Sequence, residues 1–178
     1  MASEKTARDS GPPRILIAGL GNLLLRDDGV GVHAVMELQK APPEGAQVVE
    51  VGTAVLNALD LLEWADKILA IDAMQAGGAP GTIYACGAGD VHQGGIQASL
   101  HEFNLLAALN FLKDKARPEI VILGVEPEEI AFGLELTPRV AAALPRLTAA
   151  ARDLVARWRQ APGPQDHQGG ASPIARSG

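Results

Sequence analysis

A chain of 178 residues, 47% of them hydrophobic and 20% charged, has the size and composition of one globular domain, and its 3% aromatic content leaves the core to Leu, Ile, Val and Ala. The net charge of −6 disfavours a phosphate-backbone partner, so nucleic acid is not expected. Cys86 is the single cysteine, which excludes an internal disulfide and a Cys-based zinc cluster; with a polar stretch at 1–13 and no apolar run near the roughly 20 residues that span a bilayer, a cytoplasmic protein without membrane association is expected.

In chain order, residues 14–18 (RILIA) read as a buried strand that runs into a Gly-Leu-Gly-Asn turn. Val32, Val35, Met36 and Leu38 recur at helical spacing, and that helix should stop before Pro42 and Pro43. The segment QVVEV gives a second strand, Thr53 is placed to cap a helix through Leu56, Leu59, Leu62 and Trp64, and KILAID gives a third strand. Such alternation implies parallel strands covered by helices on both faces. The strand GTIYACG begins too soon after Asp72 for a helical crossover and is expected to be antiparallel. A helix from about Leu100 to Asp114, a last buried strand in EIVILGVE, and a long helix opened by Thr137-Pro138 and kinked at Pro145 complete the pattern. The predicted fold is therefore α/β and three-layered, with a twisted, mostly parallel sheet of about five strands, one antiparallel edge strand and helices on both faces. One domain over 14–160 lies between a flexible N-terminus, 1–13, and a Gly- and Pro-rich tail, 161–178, that offers no apolar face.

Ligands of open α/β sheets bind beyond the carboxyl ends of the strands, so chemistry is sought there first. After the first strand come the adjacent carboxylates Asp27 and Asp28; Asp is a good helix N-cap, and a purely structural role falls to Asp27. Asp72 ends the apolar run Ile68-Leu69-Ala70-Ile71, where an uncompensated carboxylate costs several kcal/mol. It either meets backbone donors in the next turn or faces a polar site. His101 lies in Ser99-Leu100-His101-Glu102, a capping-box spacing that sets it in a first helical turn, where the helix dipole favours neutral imidazole. A surface His without a role fits equally well. Converging on one crevice, Asp28, Asp72 and His101 would form an open O, O, N set acceptable to nickel, zinc, iron or manganese. Other signatures fail: the Gly19-Leu20-Gly21 pair has Leu24 where a dinucleotide loop needs its third glycine, residues 101–105 lack a second His, no G-x-S-x-G elbow occurs, and Cys86 reads as a small buried hydrophobe within a strand.

Four collinear blocks, GLGNLLLRDDGVGV at 19–32, ILAIDA at 68–73, SLHEFNLL at 99–106 and GVEPEEIAFGLELTP at 124–138, resemble the hydrogenase maturation endopeptidases, over roughly residues 14–158. Many members of that family carry Glu in place of Asp28, and many continue Gly52-Thr53 with another glycine. The resemblance implies a mixed sheet between helices and an endopeptidase that removes the C-terminal extension from the large-subunit precursor of a nickel–iron hydrogenase. It further implies that cleavage follows nickel insertion, and that Asp28, Asp72 and His101 contact the nickel that the precursor brings. Recognition of that nickel is the expected role of the three residues. A noncatalytic nickel-binding chaperone or sensor that uses the same three ligands is the alternative.

Overall fold

The computed structural model describes residues 11–87, 104–105, 107–108 and 118–160. Five strands, β1 (Ile15–Leu20), β2 (Ala46–Gly52), β3 (Lys67–Ala73), β4 (Ile83–Gly87) and β5 (Glu119–Val125), form one sheet in the order β2-β1-β3-β5-β4. β1 pairs parallel with β2 and β3, β3 pairs parallel with β5, and β4 runs antiparallel at the edge on β5. The expected mostly parallel five-stranded sheet with one antiparallel edge strand is therefore what this chain builds.

Alternation along the central strands sorts their side chains into two layers. Ile15 and Ile17 of β1, with Leu69, Ile71 and Ala73 of β3, pack against α1 (Val30–Lys40) and against α4 (Leu144–Gln160), which contributes Leu147, Ala151, Val155 and Trp158. Leu16, Ala18, Leu20, Ile68 and Ala70 face the other way, toward Val55 and toward Leu62 of α2 (Leu59–Trp64), and toward Leu105 and Ala108, which are helical. Cys86 lies in this second layer as a buried hydrophobe, as expected. No helix among the described residues is long and apolar enough to cross a membrane.

Three local readings need correction. Thr53 caps nothing: a 3-10 turn over Val55–Ala58 with Ala54 at its N-cap precedes α2, and Leu56 is exposed. Met36 also turns outward, because Ala34 and Val35 with Leu38 already fill the buried stripe of α1. The long final helix is broken into α3 (Pro138–Ala141) and α4, so Pro145 falls in a first turn. There a proline costs little, since the first amide N–H groups of a helix have no intrahelical acceptor, and no kink at Pro145 is required. Most of the helix expected over 100–114, residues 1–10 of the proposed N-terminus, the tail 161–178 and the capping box at Ser99 and Glu102 lie outside the described residues.

Candidate functional site

The strand order reverses beside β1: the chain passes from β1 to β2 on one side and then to β3 on the other. Such a reversal leaves a crevice at the carboxyl ends of the two parted strands, where no crossover fills the space. The segment after β1 and the end of β3 border that crevice, and they carry Asp28 and Asp72.

Two glycines bring the first carboxylate into place. Gly21 has φ +112, and a side chain there would collide with the backbone carbonyl oxygen of Asp28. Gly31, in the first turn of α1, lies so near the Ile71 and Leu20 carbonyl oxygens that a Cβ has no room. The helix start is thereby drawn onto the ends of β1 and β3. Between these glycines a 3-10 turn, Arg26–Gly29, holds Asp27 and Asp28 against β3.

The two aspartates diverge sharply. Asp27 is fully buried and accepts four hydrogen bonds: from Glu128 N–H (2.9 Å) and Glu129 N–H (3.0 Å) on Oδ2, from Thr137 N–H (2.7 Å) on Oδ1, and from the Thr137 hydroxyl (2.9 Å) on Oδ2. Its role is structural, as expected, but not as a helix cap: it pins the segment between β5 and α3 to the turn after β1. The Thr137 hydroxyl is spent on it, and Thr137 makes no side-chain cap to the helix that Pro138 opens. The same two segments are joined by backbone, with Arg26 N–H on the Gly133 carbonyl at 2.8 Å and Gly133 N–H on the Leu24 carbonyl at 2.9 Å. Arg26 is held at φ +49, a left-handed conformation a non-glycine residue adopts only where its surroundings impose it. An ion pair from its guanidinium to Glu129 (2.9 Å) adds to that constraint.

Asp28, 9% exposed, accepts the Asn22 N–H at 2.9 Å. Asp72 is fully buried and accepts the Ala73 N–H at 2.9 Å. By strand alternation Asp72 points to the face of Ile68 and Ala70, the layer that contains Leu105. His101, the third predicted site residue, lies outside the described residues.

Sequence reasoning missed Glu126, the residue that follows β5 at the same end of the sheet. Its buried carboxylate accepts hydrogen bonds from Ala76 N–H (2.8 Å), Gly77 N–H (3.3 Å), Gly78 N–H (3.2 Å) and the Tyr84 hydroxyl (2.8 Å). Burial raises its pKa, but the Ala76 N–H, the Tyr84 hydroxyl and the two glycine N–H groups outweigh that and hold it below the usual carboxylate range. Glu126 thereby fixes the turn that follows Asp72. A signal was present, since it ends an apolar strand just as Asp72 does, but the acidic run Glu126-Pro127-Glu128-Glu129 reads as a solvated loop.

On the other side of β1, a cleft of about 270 Å³ is lined by Gly21, Asn22, Leu23, Val32, Glu50 and residues 51–53, at and just past the end of β2. It adjoins the Asn22 amide that holds Asp28. Chemically, the crevice offers two carboxylate oxygen donors at adjacent strand ends, a set that suits a hard or borderline cation or the polarised water of a hydrolysis.

Comparison with known proteins agrees with this architecture. A family model described as HycI, hydrogenase maturation protease, matches residues 32–153 and so begins four positions after Asp28. The hydrogenase expression/formation protein HoxM of Azotobacter vinelandii is 34% identical over 139 residues, spanning 74% of this chain and 67% of the relative. The HupD protein of Bradyrhizobium diazoefficiens is 32% identical over 134 residues, 71% and 70% of the two chains. Among solved structures, the hydrogenase maturating endopeptidase HybD from Escherichia coli superposes with a TM-score of 0.71 at 25% identity over 81% of this chain and 93% of that one. The NiFe hydrogenase maturation protease HybD from Thermococcus kodakarensis gives 0.68 at 29% identity over 80% and 99%.

Proposed function

Because this chain belongs to the hydrogenase maturation protease family and is a peptide hydrolase, we propose that it removes the C-terminal extension of a nickel–iron hydrogenase large-subunit precursor once nickel is in place. The observation that carries this reading is the pairing of Asp28 and Asp72 at the two strand ends that border the switch-point crevice. In this reading the nickel arrives as part of the substrate. Asp28 and Asp72 present carboxylate oxygens to it, and His101 supplies a nitrogen donor.

The residues around the two ligands then have physical tasks. The Asn22 N–H and the Ala73 N–H each hold one oxygen of the Asp28 and Asp72 carboxylates and so fix their orientation. Asp27 and Glu126 hold the two turns that bear or follow these ligands. Nickel contact checks that the precursor is loaded and sets the scissile peptide in the crevice. The reading is tested by following the mass of a nickel-loaded precursor incubated with the wild-type chain and with His101→Ala. The wild type shortens the precursor and the variant leaves it whole; a variant as active as wild type would remove His101 from the site.

A further inference from the structure

The exposed apolar surface where the two pinned segments cross has no task in the crevice. Leu24, Ile130, Phe132 and Leu134 are 52%, 45%, 84% and 65% exposed, and they come from two stretches about a hundred positions apart in sequence. Single exposed hydrophobics are ordinary, but a cluster of large ones marks surface that another molecule covers. The backbone beneath brings them together, because Gly133 donates to the Leu24 carbonyl and accepts from Arg26, with Phe132 and Leu134 to either side of it. That junction is also rigid, being held by the four bonds to Asp27 and by Arg26 in its left-handed conformation. A preorganised surface loses little entropy on binding.

Position and charge indicate what covers it. Leu24 is two residues from Asn22, whose amide donates to Asp28, so the patch begins on the same turn that carries a candidate ligand. Its rim keeps one carboxylate in excess: Arg26 and Arg139 are engaged by Glu129 and Glu128, the His33 imidazole bonds the Leu134 carbonyl, and Glu135 forms no ion pair among the described residues. Two-fold pairing of the patch with a second copy would set that excess charge against itself in a chain of net charge −6. We propose that Leu24, Ile130, Phe132 and Leu134 form a docking surface for an apolar segment of the precursor protein, with a basic side chain of the precursor against Glu135. This rests on the function proposed above.

The test uses the purified full chain, a Phe132→Ser/Leu134→Ser double variant and Glu135→Lys, with the nickel-loaded large-subunit precursor as substrate. Steady-state cleavage and direct titration of precursor binding are measured at several salt concentrations. The double variant should raise KM and weaken binding by about tenfold or more, with kcat at saturating precursor within about twofold and an unchanged thermal midpoint, as for loss of an aromatic anchor used only in docking. Glu135→Lys should weaken binding by a smaller factor that shrinks with added salt. Unaltered KM and binding in both variants would overturn the docking surface. Sedimentation showing a wild-type dimer that the double variant dissolves would also overturn it, in favour of a second copy. If the wild type leaves the precursor whole, the functional reading fails, and the docking surface is judged by the titration alone: binding lost in the double variant supports it, and binding retained overturns it.

Discussion

At the amino-terminal ends of β1, β3 and β5 the charged groups are Arg14, Asp66, Lys67 and Glu119; at the carboxyl ends they are Asp27, Asp28, Asp72 and Glu126. The first set lies at the surface and pairs side chain with side chain. Arg14 grips Asp66 through Nε at 3.0 Å and Nη2 at 2.8 Å, and Glu119 accepts from Lys67 and from the Trp158 indole at 2.9 Å. The second set is buried and takes its donors mostly from backbone amides. Exposed pairs are screened and typically contribute about 1 kcal/mol or less, whereas removing a buried carboxylate leaves desolvated donors unmet at about 1–3 kcal/mol each in unfavourable cases. One end closes the sheet cheaply, and the other stores charge where water is scarce, which is where chemistry needs it.

That contrast can be broken in graded steps. The largest effect is expected on activity: Asp72→Asn should lower precursor cleavage by about a hundredfold or more while the fold persists, because an amide is a far poorer cation ligand than a carboxylate of the same shape. Single-turnover cleavage measured beside circular dichroism separates loss of chemistry from loss of structure. Next comes stability. Asp27→Ala strands three backbone amides and one hydroxyl, and should cost about 3 kcal/mol or more, seen in thermal melting as a fall of roughly 10 °C for a chain of this size.

Glu126 offers a finer cut through pH. Its pKa is depressed in the fold, so its stabilisation is fully present above the ordinary carboxylate pKa and is lost as pH falls through the folded value. Glu126→Gln should therefore be less stable than wild type at neutral pH by about 1–2 kcal/mol, and the gap should narrow in acid, which denaturant titrations at several pH values would show. The smallest change belongs to the opposite end, where Arg14→Ala should cost under about 1 kcal/mol and vanish at high salt. A cost there rivaling that of Asp27→Ala would dissolve the contrast.

The sheet of this architecture was readable because its signals are local. Continuous apolar runs gave β1, β3 and β5, and the short gap after Asp72 gave the antiparallel edge strand, since a crossover cannot be made in so few residues. Asp72 was visible as a carboxylate ending such a run. The partners of Asp27 lie 101 to 110 positions away, so its sequence neighbourhood suggested a cap while the fold gave it a staple. Glu126 was hidden for the same reason: its donors sit 42 to 50 residues earlier, at Tyr84 of β4 and in a turn whose Gly77-Gly78 pair signals only flexibility. Thr53 and Pro145 misled because capping and kinking depend on where a helix starts, and tertiary packing moved both starts.

The most direct test of the proposed mechanism compares the same precursor with and without its nickel. The purified chain is mixed with each form, and the mass of the large subunit is followed over time. Loss of the C-terminal extension from the loaded precursor alone is the predicted result. Equal cleavage of the two forms would contradict nickel recognition by Asp28, Asp72 and His101.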